Sequence, residues 1–366
     1  MKVGQVVMLG IGGTTLAAEE AQFISAHDIG GIILFARNYQ SPGQVAQLIN
    51  EIQKLRQEYP LFIAVDQEGG RVARFREGFT VLPPMHDVAL LKSPKLCFQG
   101  HQIVAQELKA CGVNFNCAPC ADVLRPSTTS AIGDRAFSDD AETVAKFVSA
   151  AIRGLQTSGI IACVKHFPGH GMAGEDSHEA LPHLAITKEE LAKIDFLPFQ
   201  RAFKSARVEA CMMGHLVVPD IDANLPCSMS PMAHRILRED LRFSRIILSD
   251  DLLMKAITDH YSPAEAAVKI LQAGTDILVY RDLATAAQAV EGIQEALKRQ
   301  EIKNEVFQEK IKRIKTLKKA YLANYAPIYL PDLKNKINTR QAQVFREQLL
   351  AKINQVKSAE TAVQDH

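Results

Sequence analysis

A (β/α)8 barrel is the fold class this sequence predicts, and three observations predict it. Eight short apolar runs, rich in strand-forming residues, recur along the chain. Amphipathic stretches separate them, the alternation expected of a parallel sheet covered by helices. Charged or titratable residues stand where several runs end, which is where a barrel collects its chemistry. Eight strand–helix units are the number that closes such a barrel.

In chain order the runs cover 5–9, 31–35, 61–65, 113–117, 160–164, 208–213, 245–248 and 276–279. The stretches 42–58, 94–110, 140–157, 187–205 and 264–273 read as covering helices. An open doubly wound sheet is the competing arrangement, and it wants a glycine-rich phosphate loop after an early strand. Gly10-Ile11-Gly12-Gly13 follows the first run but lacks the full G-x-G-x-x-G spacing, so it reads as a turn. From 283 to 323 the pattern is helical, with many charges over 298–319. Beyond Pro327 and Pro331 a polar segment carries apolar residues at Val344, Leu349, Leu350, Ile353 and Val356. It reads as a solvated terminal helix, a helix packed on the barrel or a partner-binding extension. The expected plan is one α/β TIM-barrel domain over 1–326 with a helical C-terminal extension over 327–366.

The bulk numbers exclude several function classes. Of the 366 residues, 47% are hydrophobic and 23% charged, ordinary for a globular protein. A formal net charge of +1 offers no broad basic field for nucleic acid. No stretch approaches the roughly 20 apolar residues of a membrane span. Residues 1–20 make a poor secretory signal, lacking a strongly basic start and a long apolar core. Seven cysteines, an odd number mostly set in apolar runs, suit a reduced compartment. The expectation is a cytoplasmic monomer or weak oligomer with no nucleic-acid or membrane partner.

The most informative stretch is 165–178, Lys-His-Phe-Pro-Gly-His-Gly-Met-Ala-Gly-Glu-Asp-Ser-His. It follows the fifth run and combines turn formers with three histidines and two acids, so loop chemistry carries proton-transfer chemistry. Other runs end similarly: the third in Asp66, with Arg74 close behind; the sixth in Gly214-His215; the seventh in Ser249-Asp250-Asp251. Gly133-Asp134-Arg135 lies in the loop after the fourth. Any one of these reads equally as a cap or a structural salt bridge, and Asp251 suits a helix cap. Together they converge only if the sheet closes. A sugar site needs groups that grip hydroxyls and an acid and a nucleophile beside the scissile bond. Asp66 and Arg74 can hydrogen-bond hydroxyls; Arg135, Lys165 and His166 can orient a polar ring. Asp250 can attack an anomeric carbon, and Asp176 can fix the tautomer of His178.

These residues resemble a known family. Lys165-His166-Phe167-Pro168-Gly169-His170-Gly171 followed by Asp176-Ser177-His178 is similar to the signature of family 3 glycoside hydrolases, and most closely to its single-domain bacterial β-N-acetylglucosaminidases of peptidoglycan recycling. Asp66-Gln67-Glu68-Gly69-Gly70-Arg71-Val72-x-Arg74, Gly133-Asp134-Arg135-Ala136-Phe137 and Ser249-Asp250-Asp251-Leu252 resemble further blocks in the same order. The resemblance implies a retaining exo-glycosidase. Asp250 would be the nucleophile, and His178 the acid/base tuned by Asp176. Asp66, Arg74, Arg135, Lys165 and His166 would hold the terminal N-acetylglucosamine of an (anhydro)muropeptide. It implies no cofactor and no metal.

The chain departs from the family pattern in places. Leu253-Met254-Lys255-Ala256 stands where a small residue, Met, Glu and Gly are usual, and Cys117-Ala118-Pro119-Cys120 replaces a plain apolar strand end. Three other readings stay open on sequence. A glycoside phosphorylase would use the same Asp-His pair. A metal-dependent hydrolase would use His166, His170 and His178. A non-catalytic sugar binder would share the barrel.

Overall fold

The computed structural model describes residues 2–125, 131–174, 176–177 and 179–364. Eight parallel strands close into one barrel, one strand for each apolar run. They are β1 (Val7–Gly10), β2 (Gly31–Leu34), β3 (Phe62–Val65), β4 (Phe115–Asn116), β5 (Ile161–Phe167), β6 (Ala210–Met213), β7 (Ile246–Asp251) and β8 (Ile277–Tyr280). Each strand pairs with its sequence neighbour, and β1 closes on β8 with Leu9 opposite Tyr280. No barrel edge is left unpaired, and the strand interiors are buried.

Helices cover the barrel because their sequences start and face correctly. Ser41 caps α2 (Pro42–Gln53) by accepting from the Gln44 amide at 3.2 Å, with proline in the first turn. α1 is Ala18–His27, α3 Pro94–Ala110 and α4 Ala141–Thr157, the last capped by Asp140. α3 and α4 approach so closely that a Cβ on Gly154 would sit 2.5 Å from the Phe98 carbonyl. After β8, α8 (Leu283–Lys298) and α9 (Asn304–Leu322) complete the wrap, and a capping box opens α7 (Pro263–Ala273).

Some boundaries differ from the sequence reading. The first run begins as a 3-10 turn, Gly4–Val6, so its strand starts at Val7. The fifth and seventh strands run past their apolar segments, through Phe167 and Asp251. The polar residues there find partners at the barrel mouth and stay in the strand. The stretch 187–205 is not one helix but Lys188–Lys193 followed by α5 (Phe196–Arg201). The break has a cause: Asp195 is buried against Arg125 at 2.6 Å, and Pro198 fits only a first turn. α6 (Pro231–Arg235) precedes β7.

The C-terminal segment forms α10 (Arg340–Gln364). It is packed, since Ala342, Leu349 and Ile353 are buried. Arg346 Nε donates to the Val81 carbonyl at 3.0 Å, and Lys357 pairs with Asp87 at 2.7 Å. Among the described residues no helix is long and apolar enough to cross a membrane.

Candidate active site

The carboxyl ends of the strands surround a cavity of about 510 Å³, within the range of small-molecule sites. Asp66, Arg74, Arg135, Lys165, His166, Asp176 and Asp250 all line it. Seven of the eight site residues expected from sequence therefore meet in one space. The eighth, His178, lies outside the described residues. His215 follows β6 but is fully buried, with its Nδ1 at 2.7 Å from Ser228 Oγ, and it does not line the cavity.

One wall is an ion-pair network. Lys165 Nζ donates to Asp66 Oδ1 at 2.7 Å and lies 2.7 Å from Glu68 Oε1. Arg74 Nη2 reaches Asp66 Oδ2 at 3.2 Å. Arg135 grips Glu68 with two bonds, Nε to Oε2 at 3.0 Å and Nη2 to Oε1 at 2.8 Å, the fork geometry that makes such pairs strong. Burial opposes ionisation of both acids, but Lys165, Arg74 and Arg135 overcome it. They hold Asp66 well below the usual carboxylate range and Glu68 at about 2. Lys165 is raised in turn: burial disfavours its charge, and Asp66 and Glu68 restore it. The wall thus presents fixed charges rather than groups that exchange protons near neutrality. A short hairpin, Gln67–Gly69 with Val72–Ala73, carries Glu68 toward Arg135.

A second anchor lies deeper. Asp122, fully buried, accepts from His166 Nδ1 at 2.7 Å, from the His170 amide at 2.7 Å and from Cys120 Sγ at 3.1 Å. Burial opposes its charge, but His166 and the hydrogen bonds hold its carboxyl below the usual range. An ionised acceptor assigns the Nδ1 proton of His166 to this bond. Asp122 also ties down the start of the loop after β5. Gly171 crosses so near the Val123 carbonyl that a Cβ would meet its oxygen at 1.8 Å, so only glycine fits. Further along, His170 Nε2 lies 3.1 Å from Ser177 Oγ, and the Ala256 amide donates to the Ser177 carbonyl at 3.4 Å. The segment behind β7, where Lys255 replaces the usual acid, therefore touches this loop through its backbone, while the Lys255 side chain is exposed.

Asp250 closes the other side. It is half-buried in β7, and its Oδ1 accepts from the Asp251 amide at 2.8 Å. Burial pushes its carboxyl up, but the nearby His166 and His215 and that amide bring it below the ordinary value. An ionised carboxylate thus faces the cavity that the ion-paired wall bounds.

Cys120, Asp122 and His166 have donor atoms within 4.8 Å of one another, the one such cluster among the described residues. Asp122 already joins the other two by hydrogen bonds. Of the three histidines considered for a metal, His166 is bonded to Asp122 and His170 lies against Ser177. All seven cysteines are buried and free.

The sequence reading missed Glu68, Asp122 and Arg37. Glu68 stood inside a quoted block and went unassigned. Asp122 and Arg37 follow the fourth and second runs within five residues, so the strand-end rule would have found both.

Comparison with known proteins gives the family. A "Beta-hexosaminidase" of Nitrosomonas eutropha is 40% identical over 295 residues, covering 79% of this chain and 84% of the relative. A "Beta-hexosaminidase" of Pseudomonas aeruginosa is 39% identical over 293 residues, covering 79% and 86%. A family 3 β-N-acetylglucosaminidase from a Paenibacillus species superposes with a TM-score of 0.91 at 33% identity, over 96% of this chain and 68% of that one. NagZ from Neisseria gonorrhoeae, in complex with N-trifluoroacetyl-D-glucosamine, gives a TM-score of 0.78 at 30% identity, over 95% and 98%. The model of the glycosyl hydrolase family 3 N-terminal domain matches residues 1–317, and the chain belongs to that family.

Proposed function

We propose that this protein is a retaining exo-β-N-acetylglucosaminidase that removes terminal N-acetylglucosamine from (anhydro)muropeptides during cytoplasmic cell-wall recycling. The observation that carries the proposal is the shared cavity: the Asp250 carboxylate and the Asp176 loop line the same space as the five candidate sugar-binding residues. The relatives named as β-hexosaminidases and the structures named as β-N-acetylglucosaminidases support the same reading.

In this mechanism the charged wall grips the sugar hydroxyls. Asp66 accepts from hydroxyls while Lys165 and Arg74 hold its carboxylate fixed, and His166 presents its other ring nitrogen. Asp250 attacks the anomeric carbon as the bond to the leaving oxygen breaks. His178, oriented by Asp176, gives that oxygen its proton. A water then attacks the same carbon, returns a proton to His178 and releases Asp250. Two displacements retain the β configuration. Histidine titrates near neutrality, which suits a group that must give and then take one proton.

Time-resolved product analysis on p-nitrophenyl N-acetyl-β-glucosaminide, beside the plain β-glucoside and with or without phosphate, tests this. The expected outcome is preferential release of β-N-acetylglucosamine with no dependence on phosphate. A sugar 1-phosphate as the main product would replace the hydrolase with a phosphorylase.

A further inference from the structure

The cavity mouth holds a cation that gripping the terminal sugar does not use. Arg37 follows β2, is exposed and lines the cavity. Its plane is fixed on three sides. Nε donates to the Ile11 carbonyl at 2.9 Å, Nη2 donates to the Arg281 carbonyl at 2.5 Å, and its central carbon lies 4.7 Å from the Phe35 ring centroid. The cations of the inner wall are all matched: Arg74 and Lys165 by Asp66, Arg135 by Glu68, and Arg71 by Asp134. Arg37 has no ion pair of its own among the described residues.

The acids near enough to influence it are engaged elsewhere. Glu20 accepts from the Gly12 and Ala17 amides at 2.6 and 2.9 Å. Asp282 caps α8 through the Thr285 amide at 2.8 Å. Asp251 pairs with Arg281 Nε at 3.0 Å and accepts from the Leu253 amide at 3.1 Å. Arg281 lines the same mouth and sets a second guanidinium beside the first. Partial burial and that neighbour disfavour the charge of Arg37 more than Asp251, Asp282 and Glu20 restore it. Arg281 is neutralised by Asp251 but Arg37 is not, and a guanidinium held in a fixed plane suits a carboxylate.

N-acetylglucosamine is neutral, so it offers this cation hydrogen-bond acceptors but no opposite charge. The anionic part of a muropeptide lies on the leaving side. We propose that Arg37, with Arg281 beside it, selects the aglycone by binding a carboxylate on it: the lactyl acid of the muramyl sugar or an acid of the stem peptide. This rests on the β-N-acetylglucosaminidase reading above and goes beyond it by assigning aglycone choice to named residues.

The test compares kcat/KM of the full-length enzyme, Arg37→Gln and Arg37→Lys on four substrates. These are N-acetylglucosaminyl-anhydromuramic acid with a free lactyl carboxylate, its neutral lactyl methylamide, the peptide-bearing form, and p-nitrophenyl N-acetyl-β-glucosaminide. The parent should prefer a charged aglycone over the methylamide. Arg37→Gln should cut that ratio about ten-fold, mainly through KM. The loss should shrink as salt is raised, and Arg37→Lys should keep part of the preference. Preference for the free lactyl form names the lactyl carboxylate; preference confined to the peptide form names a peptide carboxylate. A role confined to stapling the β1 and β8 loops would lower all four substrates in proportion. That outcome, or a parent indifferent to aglycone charge, overturns the inference while leaving the activity intact. Failure to cleave any of the four overturns the activity reading and this inference with it.

Discussion

At the scale of residues, the site separates groups that hold charge from the group that must react. Asp66, Glu68 and Lys165 are locked in mutual pairs. Removing one partner of such a buried pair strands the other, at about 3–5 kcal/mol. Asp250 differs: it is half-buried, it accepts from the Asp251 backbone amide, and it faces the cavity. Asp250→Asn keeps the shape and an oxygen acceptor but removes the nucleophile. Turnover of the aryl glycoside should fall by at least roughly 10³-fold. The urea unfolding midpoint should show a stability within about 1 kcal/mol of the parent. Parent-like turnover in that variant would remove Asp250 from the mechanism.

At the scale of elements, the extension supports the hairpin side of the cavity. Glu107 of α3 accepts from the Thr80 amide and hydroxyl, both at 2.7 Å, and from the Asn338 amide at 2.8 Å. Arg346 of α10 holds the Val81 carbonyl. The connection that carries Arg71 and Arg74 is therefore braced from behind by residues beyond 326. A chain ending at 326 should melt several degrees lower and show a raised KM for the aryl glycoside, with a smaller change in kcat. Unchanged KM and melting temperature would mean that α10 only covers the surface. This support was not legible in the sequence, where a polar segment with scattered apolar residues does not reveal what it packs against. The barrel was legible because each strand is buried on both faces and so reads as a continuous apolar run. The strands' polar ends were harder to delimit: β5 and β7 outrun their apolar segments, since Lys165, His166 and Asp251 pair with residues distant in sequence. Asp122 could be found as a strand-end acid, but its partner could not. Nothing in Cys120-Ala121-Asp122-Val123 signals that its carboxylate will meet a histidine 44 residues later.

At the scale of the whole molecule, both ends of the barrel bury charge. The inner wall of the mouth pairs its charges, and the lower end pairs buried Asp276 with Arg238 and Arg313 but also buries a lysine without a carboxylate bond. Lys318 of α9 is fully buried, donates to Gln5 Oε1 at 3.0 Å and lies 5.1 Å from the Phe62 ring centroid. Burial pushes its pKa down from 10.5 to about 7. Between those values the unfolded chain holds a proton that the folded chain has released, so stability rises with pH across the window; below pH 7 the full cost of the buried cation remains. Lys318→Met should remove this slope, at most about 1.4 kcal/mol per pH unit. Its urea midpoint relative to the parent should improve as pH falls from 9 to 6, and a pH-independent difference would refute the buried-cation account. The closure of β1 on β8 reaches further. The cavity draws on residues from Phe35 to Arg281, so its two halves first meet when the last strand docks beside the first. Enzymatic activity is consequently an all-or-none gauge of complete assembly: a chain stalled before β8 holds no weaker version of the catalyst, and a screen for turnover counts finished molecules.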